Sequence, residues 1–144
     1  MKHDRLCSIG HNLADSMASG LAFVIGVWNL DVFGEAAASP EGLMEVDFLN
    51  GTIVRGRASD KLRAATVRFA EVFPTFCEKH GAEAADFKKL RAVFRGRGQE
   101  CRVTLHVTDS EGVSSSTEYR GLPLKRLKVL DDLGRIRKMP RKTS

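Results

Sequence analysis

The apolar positions of residues 59–80 recur at three- and four-residue steps: Leu62, Ala65, Phe69, Val72, Phe73 and Phe76. That spacing lays one apolar stripe along a helix. Ser59 precedes the stripe as an N-cap, and Lys79-His80-Gly81 stops it. Pro74 lies inside the stripe. It lacks an N–H and clashes with the preceding turn, so the helix is expected to kink or divide near Val72. A second helix is expected from Ala82 to Arg95, with Phe87, Leu90, Val93 and Phe94 facing inward.

Elsewhere the period is two. Leu43 to Leu49 alternates, Asn50-Gly51 follows, and Thr52 to Gly56 returns. Asn-Gly between two such runs predicts a hairpin, because both residues tolerate positive φ. Cys101, Val103, Leu105 and Val107 point one way, while Arg102, Thr104, His106 and Thr108 point the other. This predicts a half-buried strand, turned at 109–112 and answered by Val113 to Tyr119. Leu21 to Trp28 is apolar on both faces and reads as a central strand. His11 to Ser19 reads as a short helix, and Asp31 caps another that runs to Ala38. Leu127 to Leu130 suggests a last short strand.

Hairpin-built strands around a helical pair predict an α+β fold: a single two-layer domain, mainly antiparallel sheet with a helical pair packed on one face. The expected organisation is a flexible arm over residues 1–9, one domain over 10–134, and a basic disordered tail over 135–144.

Composition agrees with a folded domain. The 144 residues are 42% hydrophobic and 28% charged, with eight Phe. The net charge of +5 is unevenly spread. The last 25 residues carry nine Lys and Arg against two Asp, whereas the first 119 carry 14 basic and 16 acidic residues. A basic end on a slightly acidic body points to an anionic partner. Three Cys with no Cys-x-x-Cys spacing fit reduced thiols and a cytoplasmic protein. The uncharged run from Ser16 to Leu30 is shorter than the roughly 20 residues that a spanning helix needs, so no membrane is expected. Read as a signal peptide, the segment is spoiled by Asp4, Asp15, Asp31 and Glu35.

Candidate chemistry is thin. Cys7 with His11 and Cys77 with His80 have helical spacing suited to a metal, but Cys77 continues an apolar stripe and His80 sits where a helix ends. No metal and no cofactor are expected. Cys7 and His11 also make a thiol–imidazole pair, but near a terminus expected to be mobile. Cys101 and His106, five apart on a strand, face opposite sides. No Gly-x-Ser-x-Gly occurs, so no catalytic residue is assigned. Asp31, Glu35, Glu41, Glu45 and Asp47 form an acidic stretch, ordinarily explained by capping and a solvated strand face.

Two Gly-containing basic loops, 55–59 and 95–99, are candidate anion sites through Arg55, Arg57, Ser59, Arg95 and Arg97. The C-terminal run adds Lys125, Arg126, Lys128, Arg135, Arg137, Lys138, Arg141 and Lys142. It has no interleaved aromatics, which limits nucleic acid contact to weak, non-specific attraction. The expected function is therefore a small soluble non-enzymatic binding or accessory protein that contacts an anionic partner through its basic C-terminus. The alternative is a small enzyme or small-molecule site near Asp31 to Asp47. A homodimer is expected through the polar strand 113–119 as a sheet edge.

Overall fold

The computed structural model describes residues 2–19, 21, 22, 27, 28, 31–96 and 101–120. In chain order these form α1 (Lys2–Ser19), β1 (Leu21–Ala22), β2 (Val27–Trp28), α2 (Val32–Ala38), β3 (Leu43–Asp47) and β4 (Thr52–Arg55). There follow α3 (Asp60–Lys79), a 3-10 turn (Ala84–Asp86), β5 (Phe87–Arg95), β6 (Arg102–Asp109) and β7 (Ser114–Arg120). The fold is α+β. One antiparallel sheet has the order β4-β3-β5-β6-β7, and α1 and α3 share a single core against one of its faces.

The core follows from the two periodicities. Met44 and Val46 of β3, Leu90, Ala92 and Phe94 of β5, and Val103, Leu105 and Val107 of β6 all point inward and are buried. Leu6, Ile9, Leu13 and Met17 of α1 meet them, as do Leu62, Phe69 and Phe73 of α3. Apart from Ala92, each such side chain contributes roughly 1.5–3 kcal/mol by leaving water. Three edge-to-face ring pairs fasten the layers: Phe48–Phe69 at 5.6 Å, Phe73–Phe87 at 5.1 Å and Phe33–Phe94 at 5.8 Å.

The first hairpin is present, with Gly51 at φ 68° in its turn. The loop is wider than a two-residue turn, because β3 ends at Asp47 and the Gly51 amide bonds the Asp47 carbonyl at 2.9 Å. Thr66 ties α3 to this turn, its hydroxyl lying 3.1 Å from the Gly51 carbonyl.

Four expectations are corrected. Residues 82–95 are not a helix; after the 3-10 turn they form β5. A bulge between Phe87 and Lys89 advances the strand's phase, so Phe87 and Leu90, three apart, both face inward and imitate helical spacing. Residues 2–9 are not a loose arm, since they form the first half of α1 and bury Leu6 and Ile9. Pro74 does not divide α3, which runs unbroken from Asp60 to Lys79 with Pro74 on its exposed side. The described parts of the expected central strand, Leu21–Ala22 and Val27–Trp28, are not in the main sheet; β1 and β2 form a separate two-stranded ladder. The strand expected at Leu127 to Leu130 and the tail over 135–144 lie outside the described residues.

Candidate functional site

The basic loop after β4 is held from below. Gly56, at φ 95°, turns the chain out of the strand; a Cβ there would sit 2.6 Å from the Leu43 carbonyl oxygen. The buried Ser39 hydroxyl accepts the Arg57 amide at 2.8 Å and lies 3.3 Å from the Arg57 carbonyl. The loop backbone is thereby fixed and the arginine side chains project from it. Arg55, Arg57 and Arg63 line a cleft of about 460 Å3 with Pro40, Glu41 and Gly56. Arg55 is partly neutralised by Glu41 at 3.3 Å and Glu45 at 3.5 Å. The guanidinium groups of Arg57 and Arg63 have no hydrogen-bond or ion-pair partner among the described residues.

Ser59 takes a different part. Its amide and hydroxyl donate to the two Glu35 carboxylate oxygens at 2.6 and 2.7 Å, while its oxygen caps the Leu62 amide at 3.1 Å. The start of α3 thus already holds an anion, supplied by α2. Arg95 lies on the outer sheet face, where it donates to Thr104 at 3.3 Å, and does not line the cleft. Arg97 and the basic residues from Lys125 to Lys142 lie outside the described residues.

The acidic stretch is spread over separate tasks. Asp31 caps α2 by accepting the Gly34 amide at 3.1 Å. Glu45 sits between Arg55 and Arg91 at 3.5 and 3.6 Å. Asp47 accepts the Leu49 and Asn50 amides at 3.0 and 3.2 Å and so shapes the hairpin turn. Arg91 Nε is buried without a hydrogen bond, 3.5 Å from Asp47 Oδ2, where attraction is Coulombic only.

The two Cys/His pairs also separate. Cys77 is fully buried in the core, and desolvation first, with Asp86 second, pushes its thiol up to about 11. His80 packs its ring on Phe76 at 4.6 Å. Among the described residues, no group of three or more His, Cys, Asp or Glu side chains is arranged to hold a metal.

A second constellation joins residues that are far apart in the sequence. One face of α1 carries His3, Cys7 and His11 at four-residue steps, beside the apolar stripe. It lies against β7, whose inward positions are Ser115, Thr117 and Tyr119. His11 stacks on Tyr119 with ring centroids 4.0 Å apart. The Tyr119 hydroxyl is buried beside Asp15; its pKa is raised first by desolvation and then by Asp15. At the other end, His3 Nδ1 is 3.0 Å from Asp109 Oδ2, His3 Nε2 is 2.9 Å from Ser115 Oγ, and Cys7 Sγ is 3.3 Å from the same Oγ. Asp109 Oδ1 accepts the Glu111 and Val113 amides, both at 2.9 Å, in the β6–β7 turn. Burial raises the Asp109 pKa, but the Val113 amide, His3 and the Glu111 amide outweigh it, leaving the carboxyl below its ordinary value.

No motif spacing announces this set, because His3 stands 106 residues from Asp109 and 112 from Ser115. The available signal was the polar face of α1 beside Leu6, Ile9, Leu13 and Met17, legible only if the helix is read from residue 2. Comparison with protein-family models, curated proteins and solved structures finds no match to this chain. Among the described residues, no helix is long and apolar enough to cross a membrane.

Proposed function

We propose that the protein is a small anion-binding domain, acting on a phosphate- or carboxylate-bearing partner through the cleft of Arg55, Arg57 and Arg63. The unpartnered guanidinium groups of Arg57 and Arg63 carry this reading. Planar guanidinium forks match paired oxygens, and a site with two of them unengaged favours a doubly charged ligand. Glu41, the one carboxylate on the wall, is already held by Arg55. The nine basic residues of the last 25 add a long-range field that speeds encounter with polyanions. Cytoplasmic residence is part of the proposal and is supported by the unbridged cysteines Cys7 and Cys77. Self-pairing through β7 is a further part, supported by its position at the end of the sheet among the described residues. Sedimentation as a single 15.9 kDa species at high concentration would remove the dimer.

The cleft is tested by calorimetric titration with inorganic pyrophosphate at low salt. Arg57→Ala combined with Arg63→Ala is expected to weaken binding at least roughly tenfold, as charge-assisted hydrogen bonds are lost. Arg95→Ala should leave it unchanged. Equal affinity in the wild type and the double variant would overturn the assignment. Truncation after Leu133, assayed on DNA across a salt series, separates the tail's contribution from that of the cleft.

A further inference from the structure

We propose that Ser115, His3 and Asp109 form a nucleophilic relay, and that the protein cleaves activated carboxylic esters through an acyl-Ser115 intermediate. An ionised carboxylate only accepts, so the 3.0 Å contact to Asp109 requires the proton on His3 Nδ1. In the neutral ring, Nε2 is then the acceptor. It lies 2.9 Å from Ser115 Oγ, within reach of the proton that a general base must remove. The Cys7 thiol lies 3.3 Å from the same Oγ, and by donating to it would leave the serine hydrogen for His3. Asp109 is a positioning residue. Two turn amides hold its Oδ1, so Oδ2 stays aimed at the imidazole.

Burial is graded in the order such a relay needs. The side chain of Asp109 is 11% exposed and that of His3 19%, while Ser115 is half-buried at the seam between α1 and β7. Lys2, next to His3, lines a cleft of about 690 Å3 with Asp86, and the Asp86 carbonyl accepts the Ser110 amide at 2.8 Å beside Asp109. Ser115, His3 and Asp109 do not themselves line that cleft.

In the first step, Ser115 Oγ attacks the acyl carbon, its proton passes to His3 Nε2, and the carbon–oxygen bond to the leaving group breaks. The leaving alkoxide takes the proton from His3. Water then attacks the acyl-serine, gives one proton to His3, and releases the acid as Ser115 recovers its hydrogen. Atoms and charge balance, with one ester and one water yielding one acid and one alcohol.

The test uses the full chain with a fluorophosphonate probe, followed by peptide mass mapping, and with p-nitrophenyl acetate. A stoichiometric fluorophosphonate adduct on Ser115 is expected in the native protein and not in the urea-unfolded chain. A lock that merely docks α1 would leave Ser115 no more reactive folded than unfolded. Ser115→Ala should abolish the adduct. Asp109→Asn should slow labelling by roughly 10²–10⁴-fold, because the wrong tautomer then faces serine. Ser116→Ala, on the opposite strand face and paired with His106 at 2.7 Å, should label like the wild type. An adduct on Cys7 or Ser116, or no Ser115 adduct in the folded wild type, overturns the proposal whatever the variants do.

Discussion

Replacing Phe73 by alanine removes a ring from the place where the end of α3 meets the start of β5. Phe73 is 3% exposed and meets Phe87 edge-to-face, with centroids 5.1 Å apart and planes at 66°. A buried Phe→Ala change costs about 3–5 kcal/mol, the sum of lost transfer energy and the cavity left behind. The ring pair accounts for roughly 0.5–1.5 kcal/mol beyond area burial. Phe73→Leu retains much of the volume and isolates that part, so its loss should be near the ring-pair value. With a urea slope of about 2 kcal/mol/M, Phe73→Ala should lower the midpoint by about 2 M, read by far-UV circular dichroism. Adding Phe87→Leu to Phe73→Leu completes a cycle in which the two losses should not add. A Phe73→Ala loss below about 1 kcal/mol would mean that the ring faces solvent and the α3 stripe is misphased.

Two further outcomes follow from local geometry. Gly51→Ala should cost about 1–2 kcal/mol in the same urea assay, because φ 68° is left-handed and the new Cβ would lie 3.1 Å from the Thr66 carbonyl oxygen; a neutral result would show that the turn relaxes freely. The lowered pKa of Asp109 sets an acid limit: its contribution is complete above the ordinary carboxyl value of 3.8 and is lost as pH falls through the lower folded value. Urea midpoints of the wild type and Asp109→Asn, measured from pH 6 to pH 2, should therefore converge below pH 4; parallel curves would dissociate Asp109 from acid sensitivity.

Several elements were legible because one period acts alone. The outward Arg102, Thr104, His106 and Thr108 and the inward Val103, Leu105 and Val107 settled β6 and its β7 partner. Asp31 and Ser59 marked helix starts that hold in the structure. β5 was misread because its bulge inserts a three-residue step into a two-residue pattern. The first half of α1 was missed because Ser8 and Gly10, both weak helix formers, interrupt a stripe that packing on β6 sustains. The Arg cleft was half legible: Arg55 and Arg57 stand in one loop, while Arg63 joins them only through the first turn of α3. The relay was illegible, since its members are brought together by sheet order and helix docking, neither of which local spacing encodes.

The contact of His3 with Asp109 and Ser115 also sets a timetable for synthesis. α1 leaves the ribosome before the strands it docks on, and the partners of His3 in β6 and β7 are made 106 and 112 residues after it. At 5–20 residues per second, the apolar stripe of α1 waits for about 5–20 s before its partner strands exist. The β5-β6-β7 meander, whose pairings are local, can assemble as soon as it emerges, whereas the helix made first is placed late. During that interval Leu6, Ile9, Leu13 and Met17 are open to chaperones and to neighbouring nascent chains. Slowing translation across residues 87–120 would lengthen that exposure and lower soluble yield, without altering a single contact of the finished fold.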